Sequence, residues 1–130
     1  MPNKTYALEW LDLAKKNLET AKLLFREDHY TDIIAIEIHQ TIEKVMKSII
    51  AYNGAKIPKT HDLMNLYEKC ESYTSVTKET TIDELIIIND YYETERYPGP
   101  RYFIPAKSEI EKNLSVADKL YNKAYKYINE

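Results

Sequence analysis

Three clusters of polar side chains in this 130-residue chain have the types and spacing that a binding site needs. The first cluster lies on a long apolar segment and consists of Gln40, Glu43, Lys44 and Lys47. Glu43 precedes Lys47 by four residues, the order that favours an ion pair along a helix. The alternative is that Lys44 and Lys47 face an anionic ligand while Glu43 orients them. The sequence leaves both interpretations open.

The second cluster is the pair His61-Asp62, which directly precedes Leu63 at the predicted start of a helix. Asp62 suits the positive end of a helix dipole, and His61 would then pack nearby. The same backbone N–H groups could instead form part of an anion site.

The third cluster, from Tyr91 to Tyr102, interleaves tyrosines with arginines just after a predicted helix end. Arginine binds phosphate through paired hydrogen bonds, and tyrosine rings stack on nucleobases. Prolines in the segment would hold these side chains in place. The alternative is a rigid connector whose tyrosines pack on the rest of the protein, with Arg96 paired to Glu93 or Glu95.

Several well-known site motifs are absent from the sequence. It contains neither GxxxxGK[ST] nor GxGxxG, the two common phosphate-binding loops, and neither HExxH nor CxxC, which bind zinc. We therefore expect no metal and no cofactor. The single cysteine, Cys70, excludes an internal disulfide and is predicted to be a small buried apolar residue.

Apolar residues recur in steps of three and four in five segments, which predicts five helices and no strand. The predicted helices cover about Thr5–Phe25, Tyr30–Tyr52, Leu63–Tyr73, Ile82–Tyr92 and Ala106–Ile128. Short polar loops join them. The expected fold is an all-α, up-and-down bundle in a single domain spanning residues 1–130.

Turn and cap residues set the expected ends of these helices. Gly54 suits the left-handed position after the second helix, which Thr31 or Asp28 would cap at its start. Thr60 is the candidate cap of the third helix. The polar stretch 72–81 is predicted to be a loop.

Charge and hydropathy exclude some classes of protein. The chain has 18 basic and 21 acidic residues, a net charge of −3, so it lacks the strongly basic balance of a general nucleic-acid binder. No charged-then-apolar leader precedes Trp10, and no apolar run reaches the length of a membrane span. We therefore expect a cytoplasmic protein that does not contact a membrane.

The order of these motifs resembles that of one known family. The pieces are Trp10-Leu11 with Ala14, then Gln40-x-x-Glu43-Lys44-x-x-Lys47, then Gly54 and His61-Asp62-Leu63, and finally Tyr92-x-x-x-Arg96-Tyr97-Pro98. In this order the chain resembles the HEPN domain family, named for nucleotide binding in higher eukaryotes and prokaryotes. The resemblance extends over nearly the whole chain.

The resemblance implies a bundle of four or five helices, commonly a homodimer, often encoded beside a small nucleotidyltransferase. Some members are RNA-cleaving toxins, and others are thought to bind nucleotides. The RNA-cleaving members have an arginine and a histidine four to six residues apart, whereas the residues at those gaps after Arg96 are Arg101, Tyr102 and Phe103. The general acid–base partner for RNA cleavage is therefore missing from its expected place.

The leading prediction is a nucleotide-binding or nucleotidyltransferase-partner module of a toxin–antitoxin-type pair, without the usual ribonuclease motif. Arg96, Tyr97 and Arg101 are the primary predicted contacts for phosphate and base. The secondary predicted contacts are Tyr92, His61, Lys44 and Lys47.

Two alternatives remain open at this point. One is a metal-independent ribonuclease with a nonstandard site, such as Arg96 with His61 or His39. The other is a purely structural, dimerising scaffold that uses the broad apolar faces of the second and fourth helices. The first alternative would act on RNA, and the second would have no ligand, whereas the leading prediction has a nucleotide or RNA as its possible ligand.

Overall fold

A computed structural model describes residues 3–95, 97–100 and 102–130, apart from the side chain of Glu79. These residues form five α-helices and one 3₁₀ turn, and no strand. The α-helices are α1 (Lys4–Arg26), α2 (Thr31–Tyr52), α3 (Leu63–Glu71), α4 (Ile82–Thr94) and α5 (Lys107–Asn129). The predicted all-α fold with five helices is confirmed.

Helix α2 is the centre of the bundle. α1 packs along one side of it, and α3, α4 and α5 cover its other sides. The buried stripe of α1 is rich in alanine, which lets the two helix backbones approach closely: Ala7, Leu11, Ala14, Leu18 and Ala21. From Ile34 to Ala51 most residues of α2 are buried, so polar groups there need partners inside the protein.

The predicted caps of α2 and α3 were wrong. Tyr30 precedes the first turn of α2 and makes no side-chain cap, while Asp28 adopts a positive φ of 57° in the preceding turn. Asp62 caps α3, and its Oδ1 accepts a hydrogen bond from the backbone N–H of Met64 at 3.0 Å. Thr60 lies two residues before the cap position, and its hydroxyl instead accepts a hydrogen bond from the N–H of Asp62.

Two other local predictions can be compared with the structure. Gly54 has a φ of +73°, which confirms its left-handed position after α2. The stretch 72–81 is not entirely loop, because Val76–Glu79 forms a 3₁₀ turn. Val76 packs against the core and Thr77 is buried there, so tertiary packing folds a segment whose composition is typical of a loop.

Cys70 is fully buried, as predicted, and its Sγ lies 3.4 Å from the carbonyl oxygen of Met46. Burial raises the pKa of this thiol to about 12. Among the residues that the structure describes, no helix combines the length and the apolar composition needed to cross a membrane.

Candidate functional site

A buried carboxylate on α2 holds an imidazole at the surface. Glu43 is 3% exposed, and its Oε1 accepts a hydrogen bond from Nδ1 of His61 at 3.0 Å. The loop between α2 and α3 brings His61 over this point, where half of its side chain (51%) is exposed. With Nδ1 committed to Glu43, Nε2 is the nitrogen that remains for a ligand or a proton.

A second histidine, one helical turn before Glu43 on α2, holds the backbone of this loop. His39 is buried, and its Nε2 donates to the backbone carbonyl of His61 at 3.1 Å. Its Nδ1 lies 3.8 Å from Oε1 of Glu43, one helical turn away. His39 thus fixes the backbone of the residue whose ring Glu43 orients.

Tyr92 of α4 stacks on the imidazole of His61, with ring centroids 4.6 Å apart and planes 15° apart. The two rings form one wall of a cleft of about 470 Å³ between the start of α3 and the end of α4. The cleft is lined by Lys59, Thr60, His61, Asp62, Asn89, Asp90, Tyr92 and Glu93. The structure therefore brings together two predicted contacts, His61 from the loop before α3 and Tyr92 from α4.

The start of α3 has few N–H groups left for an anion. The N–H of Leu63 donates to Oδ1 of Asn89 at 2.8 Å, and that of Met64 donates to Asp62. Nδ2 of Asn89 also donates to Asp62, at 3.0 Å. These contacts favour the interpretation of His61-Asp62 as a helix start over the anion site.

The charge of the cleft also disfavours a phosphate inside it. Three carboxylates line it, from Asp62, Asp90 and Glu93, against the single ammonium of Lys59. Carboxylates accept hydrogen bonds from hydroxyl and amino groups and repel anions. The cleft is therefore suited to the uncharged part of a ligand.

Lys47 points into the protein. Its Nζ donates to Oε2 of Glu43 at 3.0 Å and lies 5.5 Å from the ring centre of Trp10 on α1. The predicted Glu43–Lys47 ion pair is therefore confirmed, and it is buried. Because Lys47 is only 7% exposed, it does not face a ligand, and it reaches the cleft only through Glu43.

Lys44 lies apart from the cleft, on the side of α2 that meets α1. Its Nζ donates to Oδ1 of Asn17 at 2.7 Å, and Nδ2 of Asn17 donates to Glu37 at 2.8 Å. Burial lowers the pKa of Lys44, partly offset by the nearby carboxylates of Glu43 and Glu37. The structure gives Lys44 a role in joining α1 to α2.

Tyrosines of the third cluster divide between the two predicted roles. Tyr91 is buried, donates to Oε2 of Glu109 at 2.6 Å and accepts from Asn113 at 2.9 Å. Tyr102 donates to the carboxylate of Asp32 on α2. These two tyrosines pack on the bundle, as the connector interpretation expects.

Tyr97 is 59% exposed and lies beside a shallow depression with Glu93 and the segment 98–100. Glu93 also lines the cleft of His61, so the two depressions adjoin. The predicted contacts Arg96 and Arg101 lie outside the described residues. Among the described residues, no group of three potential metal-ligating side chains is placed to hold an ion.

Comparison with known proteins gives the family. The model of the HEPN domain matches residues 7–127, nearly the whole chain. The chain belongs to the HEPN domain family. The resemblance of its motifs to that family is thereby confirmed.

Two relatives extend this result. This HEPN chain is 27% identical over 107 residues to a Methanocaldococcus jannaschii protein named "Putative toxin MJ1304", covering 78% of the chain and 68% of that protein. It also matches the crystal structure of ST0689, an archaeal HEPN homologue, with a TM-score of 0.72. That match covers 94% of this chain and 97% of the other at 16% identity, and it supports the fold alone.

The histidines of this HEPN chain differ in what they can reach. His39 is 1% exposed and cannot contact RNA, so it drops out of the nonstandard ribonuclease site. Of the three histidines, only His61 lines the cleft. The sequence indicates the importance of Glu43 and His61 separately, but not their contact, since they lie 18 residues apart.

Proposed function

We propose that this HEPN protein binds a nucleotide in the cleft formed by His61 and Tyr92, as the ligand-binding member of a toxin–antitoxin-type pair. The observation that supports this most directly is the Glu43–His61 hydrogen bond, which holds a half-exposed ring in place against Tyr92. A ring that is fixed before the ligand arrives loses little conformational entropy on binding.

The lining of the cleft is consistent with the nucleoside part of such a ligand. Base–aromatic stacking contributes about 1–3 kcal/mol per base, and the aromatic rings of His61 and Tyr92 both line the cleft. The carboxylates of Asp90 and Glu93 can accept hydrogen bonds from ribose hydroxyls or base amino groups. Nε2 of His61 adds one further polar contact.

The remaining predicted contacts are Arg96, Tyr97 and Arg101. Tyr97 is exposed beside the cleft, with Glu93 common to both depressions. In the proposal, Tyr97 extends the stacking surface, and Arg96 and Arg101 bind phosphate groups through paired hydrogen bonds.

The test is a thermal-shift titration with ATP, other nucleotides and a short RNA. A ligand present at 100 times its Kd stabilises the folded protein by about 2.7 kcal/mol. Unfolding entropies of about 2.1 cal/mol/K per residue make this a rise in melting temperature of roughly 10 °C for 130 residues. We expect one ligand to give this rise with the wild type.

Variants then locate the site. We expect His61→Ala and Arg96→Ala to lose most of the shift, whereas His29→Ala and Arg26→Ala, which change exposed residues of the same types elsewhere, retain it. An equal shift in all four variants would remove the proposal. The absence of a shift with every nucleotide and RNA would favour the purely structural scaffold.

The partners of the proposed function are a second copy of the chain and a small nucleotidyltransferase. An exposed apolar face on α4, formed by Ile82, Ile86 and Ile87, supports a protein contact there. α2 is largely buried within the bundle and offers little such surface. Light scattering should give the mass of a dimer for the wild type and the mass of a monomer for Ile86→Glu. A wild type with the mass of a monomer would contradict the homodimer.

A second candidate function, RNA cleavage, is supported by the contact between Glu43 and His61. The three carboxylates that line the cleft oppose it, because the phosphate to be cleaved would have to lie beside His61. A carboxylate on Nδ1 leaves Nε2 to accept a proton, as in carboxylate–histidine pairs of hydrolases. His61 would take the proton of a ribose 2′-OH, the 2′ oxygen would bond to phosphorus, and the P–O5′ bond would break. The departing 5′ oxygen would then take a proton from the imidazolium, leaving a 2′,3′-cyclic phosphate and a 5′-hydroxyl end.

This candidate is tested with 5′-labelled structured and unstructured RNA in the presence of a chelator. Cleavage that is lost in His61→Ala, reduced in Glu43→Gln and unchanged in His29→Ala would support it. Metal-free wild type that cleaves neither RNA would eliminate it and leave nucleotide binding as the proposed function.

A further inference from the structure

A groove lined by three lysines adjoins the cleft at its α3 side. Lys56, Ile57, Pro58, Lys59 and Lys69 surround about 490 Å³, and we refer to them as the lysine groove. Lys59 also lines the cleft of His61, so the groove and the cleft adjoin at this residue. None of the described residues that line the lysine groove is acidic.

The lysines of the lysine groove have no carboxylate within ion-pair distance among the described side chains. Lys56, Lys59 and Lys69 are exposed, and none of them forms an ion pair with any residue in the described part of the chain. This is unexpected in a protein with a net charge of −3. Lys119, Lys123 and Lys126 also lie close together, on α5. They differ from the lysine groove because one of them, Lys126, forms an ion pair, with Glu130 at 3.9 Å.

The two neighbouring sites are complementary in charge to the two ends of a nucleotide. The carboxylates of Asp62, Asp90 and Glu93 repel phosphate from the cleft, while the lysine groove attracts it. A ligand whose uncharged end lies against His61 would direct an anionic end past Lys59.

We propose that Lys56, Lys59 and Lys69 bind phosphate groups of the ligand whose nucleoside lies in the cleft of His61 and Tyr92, in addition to any that Arg96 and Arg101 bind. The inference rests on the nucleotide-binding function proposed above and adds a phosphate subsite on the α3 side of the cleft. The shared chemistry is a phosphate ester of a nucleoside, from either a free nucleotide or an RNA chain.

Calorimetric titrations with adenosine, ATP and a six-residue oligoadenylate test this subsite. The test variant is Lys56→Ala/Lys69→Ala, because both residues line only the groove, and the matched control is Lys119→Ala/Lys126→Ala on α5. Exposed ion pairs contribute about 0.2–1 kcal/mol each, so two of them correspond to roughly twofold to thirtyfold in Kd. We expect this loss for ATP with the test variant, no change for adenosine, and no change with the control variant.

The outcomes separate the two proposals. If the wild type binds ATP and the test variant binds it equally well, the phosphate subsite is wrong and the nucleotide-binding function stands. If the wild type binds none of the three probes, the nucleotide-binding function fails, and the subsite fails with it. A larger loss for the oligoadenylate than for ATP would identify RNA as the source of the phosphate.

Discussion

Replacement of Glu43 by glutamine should destabilise the protein strongly, because it removes one partner of a buried ion pair. The side chains of Glu43 and Lys47 are only 4% and 8% exposed, and their charged atoms lie 3.0 Å apart. Breaking such a pair costs about 3–5 kcal/mol, since the remaining charge stays buried without compensation. An unfolding entropy of about 2.1 cal/mol/K per residue converts this to a fall in melting temperature of roughly 11–18 °C for 130 residues.

The assay is urea and thermal unfolding of Glu43→Gln beside Glu37→Gln, the same change on the same helix. Among the described residues, the Glu37 carboxylate accepts a hydrogen bond from the neutral amide of Asn17 and forms no ion pair, so its loss should cost no more than about 1.5 kcal/mol. The double variant Glu43→Gln/Lys47→Met should recover stability relative to Glu43→Gln, because no ammonium is then buried alone. If Glu43→Gln unfolds within about 1 kcal/mol of the wild type, the ammonium of Lys47 does not depend on Glu43 and the reasoning is refuted.

Three further predictions concern other buried groups. Burial raises the pKa of Glu95, which is 4% exposed, and the carboxylates of Asp32 and Glu109 raise it further. The folded state therefore binds the proton more tightly than the unfolded state, and stability falls as pH rises above the unfolded pKa. Glu95→Gln should be more stable than the wild type at pH 7–8, with the difference shrinking towards pH 4; a pH-independent difference contradicts this. Tyr91→Phe should cost about 1–3 kcal/mol in urea unfolding, because Glu109 loses a buried donor; an unchanged midpoint would show that water replaces it. Cys70 should resist alkylation at pH 8 until the protein unfolds, because burial raises its pKa to about 12; rapid labelling of folded protein would contradict its burial.

The helices could be predicted from the sequence because their apolar spacing is regular over many turns. The predicted stretch 30–52 and the observed α2 differ by one residue at the start. The predicted stretch 106–128 and the observed α5 differ by one residue at each end. The N-terminal caps of α2 and α3 were predicted wrongly because they depend on the local path of the preceding loop. Thr60 and Asp62 are both good cap residues, and only the path of the loop determines that Asp62 reaches the N–H of Met64.

The candidate site was predictable as residues but not as an arrangement. Glu43 and Lys47 share a helix, so their spacing predicts their contact. The contact between Glu43 and His61 depends on how the loop between α2 and α3 crosses the bundle, which no local pattern encodes. His39 could have been singled out by its position one turn before Glu43, but its bond to the backbone of His61 requires the same loop path.

Asn89 has a consequence for the order in which the protein folds. α3 has nine residues, fewer than an isolated helix needs to be stable in water. Its first turn is completed by an amide side chain from α4, 26 residues later in the chain, which binds both the N–H of Leu63 and the carboxylate of Asp62. The start of α3 therefore becomes stable only once α4 has docked. During synthesis on the ribosome α3 must wait for α4, and in hydrogen exchange the amide of Leu63 should open together with α4 rather than with the rest of its own helix.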